Sequence, residues 1–226
     1  MKPTILFCGY REWAIKIYDF INDEFKEKLD LKLVRTAEEL KETIRNLNPD
    51  LIFFVGWSWI VEKEAVNKFK CICLHPSPLP KYRGGSPLQH QIIYGEKESA
   101  VTLFIMDENV DKGPIVWQEI FSLEGDLKDI FERIIEKGKF GMNSIISSFL
   151  DGKNIKEVPQ DKSKATYYKR RNPEQSEIKP EDFNKYDAEE LYNKIRALQD
   201  PYPNAFVVCK NNTKLYIQKA KIEEEK

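Results

Sequence analysis

The chain has 226 residues, with 36 lysines and arginines against 37 aspartates and glutamates, for a net charge of −1. A composition 41% hydrophobic and 32% charged excludes extended disorder, and the length suffices for a core without metal or disulfide support. The charge balance argues against a general nucleic-acid binder. Four cysteines, at 8, 71, 73 and 209, are too sparse for a disulfide scaffold and fit a reducing compartment. Met1-Lys2-Pro3 leads into too short an apolar stretch for an export signal, and no run reaches the ~20 residues of a membrane span. The expectation is a soluble, cytoplasmic protein.

Thr4–Cys8 is a continuous apolar run stopped by Gly9, as expected of a parallel strand covered on both faces. A helix follows over Trp13–Ile21, then a short strand at Leu31–Val34. Thr36 with Glu39 reads as a capping box for a helix carrying Leu40, Ile44 and Leu47, which Asn48-Pro49-Asp50 ends. Leu51–Val55 is a third strand, and a short helix over Glu62–Phe69 leads to a fourth at Cys71–Leu74. The stretch from Pro76 to Gly85, with three prolines and two adjacent glycines, reads as irregular. Ser86 is expected to cap a helix beginning at Pro87, with Gln89 in its third position. Val101–Met106 and Ile115–Ile120 read as strands, and Asp126 begins the longest helix, whose apolar face runs from Leu127 to Phe149.

Strands alternating with helices indicate a three-layer α/β domain over residues 1–150, with ligands at the C-terminal ends of its strands. Residues 151–186 read as an extended connection. Asp187 and Glu190 cap a helix bearing Leu191, Ile195 and Leu198. Ala205–Cys209 and Lys214–Ile217 form a terminal hairpin that needs the main body or a second subunit to cover it, so residues 151–226 make a small helix-and-hairpin extension. Lys221–Lys226 is expected to fray.

Cys71, Cys73 and His75 stand at i, i+2 and i+4, which puts them on one side of the fourth strand if it persists. His75 leaves the sheet just before the proline-rich loop. A histidine there needs a partner to act as acid, base or oxyanion stabiliser, and Asp111, between two strands, is the best candidate; an ordinary turn aspartate is the plainer reading. Zinc held by Cys71, Cys73 and His75 is a weaker reading, because buried thiols are cheaply explained as small apolar side chains. Tyr167-Tyr168-Lys169-Arg170-Arg171 offers charge for phosphate and rings for stacking, or simply a solvated loop.

The segment from Cys73 to Pro87, reading CLHPSPLPKYRGGSP, resembles the signature of the folate-dependent formyltransferases. Further matches lie at Met106–Ile115, Lys164–Glu174 and Ile195–Leu198. The resemblance implies a Rossmann-like domain that takes N10-formyltetrahydrofolate as formyl donor and an amine as acceptor, with no metal. It makes His75 and Asp111 the active-site pair. It places the pterin against Gly56, Trp57, Ser58, Trp59 and Ile60, and lines the transfer site with Leu79, Arg83 and Gly84. Tyr168, Lys169 and Arg171 are carried over as acceptor-binding residues. One position departs: Cys73 stands where the family has an asparagine whose amide polarises the formyl carbonyl. A thiol is a weak donor, so a slower enzyme, a replacement donor, a covalent formyl carrier and a binding protein without chemistry are the readings Cys73 raises.

Within that family the chain looks most like the enzymes that formylate a nucleotide-linked amino sugar: it has neither the length nor the basic charge of the methionyl-tRNA members, and it has the Tyr167–Arg171 type of segment that the glycinamide ribonucleotide members lack. On this reading the terminal hairpin is a homodimer element and nucleic acid is not a partner.

Overall fold

The structure is a computed structural model and describes residues 2–223; residues 224–226, part of the tail expected to fray, lie outside the described residues. Six strands form one sheet in the order β2-β1-β3-β4-β6-β7: β1 (Thr4–Cys8), β2 (Asp30–Val34), β3 (Leu51–Val55), β4 (Cys71–His75), β6 (Glu98–Ile105) and β7 (Ile115–Ser122). The first four are parallel. β6 runs antiparallel to β4, and β7 antiparallel to β6.

The apolar runs are continuous because both faces are covered. Ile5, Phe7, Leu51, Phe53, Val55, Ile72 and Leu74 enter one core with α1 (Glu12–Phe25), α4 (Pro87–Ile93) and α5 (Leu127–Leu150). Leu6, Cys8, Ile52, Phe54 and Cys71 turn to the opposite core, under α2 (Ala37–Asn46) and Phe69 at the end of α3 (Lys63–Lys68). Cys73 packs on that second face beside Cys71, as the two-residue period requires. No helix among the described residues is long and apolar enough to cross a membrane.

Two local expectations are overturned. The proline-rich stretch is not wholly irregular: Arg83–Gly84 form a short strand, β5, paired in parallel with β8 (Tyr167–Tyr168), 84 residues further along. Ser86 does not cap α4 through its side chain. It sits in the left-handed region at φ 53°, and its hydroxyl accepts from the Arg171 amide at 3.1 Å. The stretch 151–186 is an extended connection interrupted by single turns and a short helix, α6 (Asp182–Lys185). Near its start, Ile115 and Val158 exchange two backbone hydrogen bonds of 2.8 Å, which ties it to β7.

Beyond the connection, α7 (Ala188–Arg196) has the Asp187/Glu190 capping box read from sequence. It packs with Leu198 and the hairpin β9 (Ala205–Val208) and β10 (Lys214–Ile217) around a small core of Ile178, Ile195, Leu198 and Ala205. Arg196, 5% exposed, donates to the carbonyls of Leu123 (2.6 Å) and Gly125 (3.2 Å), fastening this extension to the loop before α5.

Candidate functional site

His75 closes β4, at the sheet edge where the chain turns into the proline-rich loop. The residue is 6% exposed, and its ring lies edge-on to Phe104 at a centroid distance of 6.5 Å. Nε2 lies 2.9 Å from the Tyr82 carbonyl, which can only accept, so the neutral ring carries its proton on Nε2. The lone pair of Nδ1 then faces Asp111, whose Oδ2 is 3.7 Å away. The structure therefore brings together the histidine and aspartate that the sequence singles out.

Asp111 is aimed by its own backbone and by the short strand β5. It sits at φ 54°, and its Oδ2 accepts from the Gly84 amide at 2.8 Å. Gly113 lets the loop fold back, since a Cβ there would lie 1.7 Å from the Ile105 carbonyl oxygen. Gln160 holds the same loop from outside, donating to the carbonyls of Asp111 (3.0 Å) and Gly113 (2.7 Å). Of the four non-glycine residues at positive φ among those described, Tyr82, Ser86 and Asp111 lie around this site. Backbone held in sparse regions collects where function needs side chains fixed.

Cys73 pairs with Phe54 on β3 and Phe104 on β6. Burial, with added repulsion from Asp111 and Cys71, pushes its thiol well above the ordinary range. A thiol so held stays protonated and is a poor nucleophile, which weighs against the covalent carrier reading. Its only polar contact among the described residues is a 3.7 Å approach to the Leu74 carbonyl.

The Gly56–Ile60 loop follows β3 and forms an aromatic cluster. Trp57 lies edge-on to Trp59 at 4.8 Å and to Phe54 at 5.7 Å, and Tyr10 packs on Trp59 at 4.8 Å. Ser58 Oγ is bonded to the Tyr10 hydroxyl (2.7 Å) and to Arg11 (3.2 Å). Ile60 is 97% exposed, so the loop shows apolar surface to solvent, while the buried Trp57 Nε1–H has no acceptor. An unpaired buried donor among aromatic rings suits a flat heteroaromatic ligand with acceptor atoms.

Leu79 is buried, its carbonyl accepting from Gln118 at 3.1 Å. Arg83 is buried too, and two of its N–H groups donate to Gln160 Oε1, at 3.1 and 2.7 Å. Tyr168 does not offer a free face: its ring stacks on Tyr82 at 5.0 Å and packs on His90 and Tyr94. Lys169 is exposed, its carbonyl accepting from His90 Nε2 at 3.0 Å. Arg171 bonds the Gln175 carbonyl at 2.7 Å and leaves Nε buried without a partner. Sequence reading missed Gln160 and Thr166, whose Oγ1 accepts from the Tyr82 amide at 2.8 Å. Neither belongs to a periodic pattern, and only the fold brings them here.

The family model described as Formyl transferase matches residues 22–146, and that described as Formyl transferase, C-terminal domain matches residues 173–226. A curated methionyl-tRNA formyltransferase of Caldicellulosiruptor saccharolyticus is 31% identical over 194 residues, covering 83% of this chain and 60% of that protein. The chain spans about half to two thirds of the length of such curated relatives. The solved methionyl-tRNA formyltransferase from Clostridium thermocellum is 31% identical, with a TM-score of 0.85 and coverage of 98% of this chain and 94% of that one. Two more distant structures share the fold. One is HypX from Aquifex aeolicus in complex with tetrahydrofolic acid (22% identity, TM-score 0.75, covering 90% of this chain and 35% of that one). The other is a sugar N-formyltransferase from Shewanella sp. (17%, TM-score 0.77, covering 99% of each). With one family model matching more than half its length and a second its C-terminal part, the chain belongs to the formyl transferase family.

Proposed function

We propose that this chain transfers a formyl group from N10-formyltetrahydrofolate to a primary amine. The observation that carries the reading is the 3.7 Å approach of His75 Nδ1 to Asp111 Oδ2 at the end of β4, within a formyl transferase fold. A homologue that had lost its chemistry has no need to keep a buried histidine and a strained aspartate in register. The folate in the HypX complex supports a folate donor here, and the Gly56–Ile60 loop, with the unpaired Trp57 donor, is the surface we assign to its pterin ring. Leu79 and Gly84 border the reacting centre.

The donor supplies an activated one-carbon unit, and this chain's residues manage charge and protons. The acceptor amine must arrive uncharged to attack the formyl carbon. As the new C–N bond forms, negative charge develops on the formyl oxygen and a proton must leave the amine. The Nδ1 lone pair of His75 takes that proton, and Asp111 compensates the charge on the ring. The N10–formyl bond then breaks, and the imidazole proton goes to the departing nitrogen. Exclusion of water by the buried ring and by the loop 107–113 strengthens each of these interactions.

Relatives at 30% identity or above are named for methionyl-tRNA, which favours an aminoacyl-tRNA α-amine as acceptor. Length does not exclude it, contrary to the expectation from sequence, because a solved chain of that name is covered almost end to end. A nucleotide-linked amino sugar is the second reading, supported by the end-to-end fit of the sugar N-formyltransferase fold. The exposed Val208, Leu215 and Tyr216 of the hairpin keep a homodimer within the proposal.

Purified protein is incubated with N10-formyltetrahydrofolate and either methionyl-tRNA or a panel of nucleotide-linked amino sugars, and products are weighed by mass spectrometry. One added formyl group is expected on one acceptor class, with His75→Ala and Asp111→Ala lowering the rate about 10²- to 10⁴-fold at unchanged circular dichroism. Cys73→Asn is expected to raise the rate by up to about 100-fold, the worth of one oxyanion donor. Binding of folate without transfer in either protein overturns the enzymatic reading.

A further inference from the structure

Arg83 carries a charge that its surroundings do not balance. It is 6% exposed, yet among the described residues no carboxylate lies within ion-pair distance; its partner is the neutral amide of Gln160. Buried cations are ordinarily paired, because an uncompensated charge in low dielectric is costly. Two of its N–H groups are used, and the residue lines a pocket of about 350 Å³. Lys112, exposed and in no ion pair among the described residues, stands on the same wall, with Val110, Ala165, Thr166 and the 60% exposed ring of Tyr167 completing it. The lining has two cations, a hydroxyl and an aromatic face, and no acid.

The pocket is built from residues next to those that hold Asp111. Val110 and Lys112 flank Asp111 in sequence, and Arg83 precedes the Gly84 amide that holds the Asp111 carboxylate. In the sheet, β3 and its aromatic loop lie on one side of β4, whereas β6 and the loop bearing Asp111 lie on the other. A donor seated on the aromatic loop thus approaches His75 from the β3 side, leaving the β6 side for the acceptor.

We propose that the pocket bounded by Arg83, Lys112 and Tyr167 is an anion subsite that seats a phosphate group of the acceptor, with the Tyr167 ring beside it for a base or sugar face. The assignment to the acceptor rests on the formyl-transfer reading; the anion subsite itself does not. A guanidinium fork and an ammonium match phosphate oxygens, and the anion supplies the counter-charge that Arg83 lacks. Both acceptor classes carry phosphate, so the shared chemistry is a phosphate a short span from a primary amine.

Inorganic pyrophosphate is titrated into the full chain by isothermal calorimetry, with no turnover required. Saturable binding is expected, weakened about 10-fold or more by Lys112→Ala and abolished by Lys112→Glu, with thermal midpoints near that of the parent because Lys112 is exposed. Arg83→Gln serves as a second variant where it folds. No binding, or binding indifferent to Lys112→Glu, overturns the subsite whether or not the protein transfers formyl groups. In turnover, pyrophosphate is expected to compete with the acceptor and not with N10-formyltetrahydrofolate, and Lys112→Ala to raise the acceptor KM about 10-fold with kcat held. Competition with the folate donor instead overturns the acceptor assignment. Competition by a nucleoside diphosphate but not by a short RNA acceptor-stem mimic, or the reverse, identifies the source of the phosphate.

Discussion

The sheet and the C-terminal extension bury their side chains on different scales. In β3 every residue is buried, with Phe53 and Phe54 entering opposite cores, and the sheet is covered by α1, α4 and α5 on one face and α2 on the other. In the extension the buried hydrophobic cluster is four residues, and the hairpin leaves Val208, Leu215 and Tyr216 exposed. What fastens the extension to the sheet domain is partly polar, Arg196 on the Leu123 and Gly125 carbonyls and Gln199 accepting from the Leu127 amide, and partly apolar, Ala197 and Tyr202 packing into the main core. The candidate site lies where the two meet, with His75 and Asp111 from the sheet and Gln160, Thr166 and Tyr168 from the connection. The core fixes the reacting ring, and the connection packs closely beside it through β8 and Gln160.

Phe53→Ala tests the first half of this comparison. Removal of a fully buried ring from the central strand is expected to cost about 3–5 kcal/mol, read from denaturant midpoints, and to unfold sheet and extension together. A loss under about 1 kcal/mol breaks the view that β3 anchors the fold. Arg196→Met tests the second half. Charge-assisted bonds to two carbonyls are worth about 2–3 kcal/mol, and hydrogen exchange over 188–217 should accelerate while β1, β3 and β4 stay protected. Equal acceleration in both regions removes the distinction.

His90 sharpens the comparison at the seam. Burial lowers its pKa from the ordinary 6.5, with the Lys169 carbonyl opposing and Arg171 adding to the effect. The native state therefore prefers the neutral ring, and below pH 6.5 the unfolded chain takes up the proton more readily. The stabilisation is full above the unfolded pKa and is lost as pH falls through the lower folded value. The thermal midpoint should drop from pH 7.5 to pH 5.5, with a shallower drop in His90→Gln; parallel curves contradict the assignment. The smallest effect is expected from Leu215→Ser in the hairpin, within about 0.5 kcal/mol for an isolated chain. A larger loss that grows on dilution, with a halved mass in sedimentation, indicates the homodimer.

Much of the fold was legible because parallel strands buried on both faces must be apolar throughout. Thr4–Cys8, Leu51–Val55 and Cys71–Leu74 announce themselves in that way, and the Asp126 and Asp187 helix starts carry their own caps. His75 was legible from its place at a strand end, and Asp111 as a carboxylate between two strands, a reading the family resemblance strengthens. The roles of Ser86 and Tyr168 were not. Ser86 has the local grammar of a cap, but a distant amide takes its hydroxyl; Tyr168 sits in a basic, aromatic segment, but Tyr82 takes its ring.

The sequence by itself determined the alternation of strands and helices, the helix caps and the position where chemistry leaves the sheet, because these follow from burial periodicity and bonds between residues a few positions apart. The tertiary structure alone decided that Asp111 faces His75, that Gln160 binds both Arg83 and the Asp111 loop, and that Arg83 is left a buried cation beside an open pocket. Those contacts join residues 36 to 77 positions apart, and no local preference of the chain encodes which distant partner a polar side chain will meet.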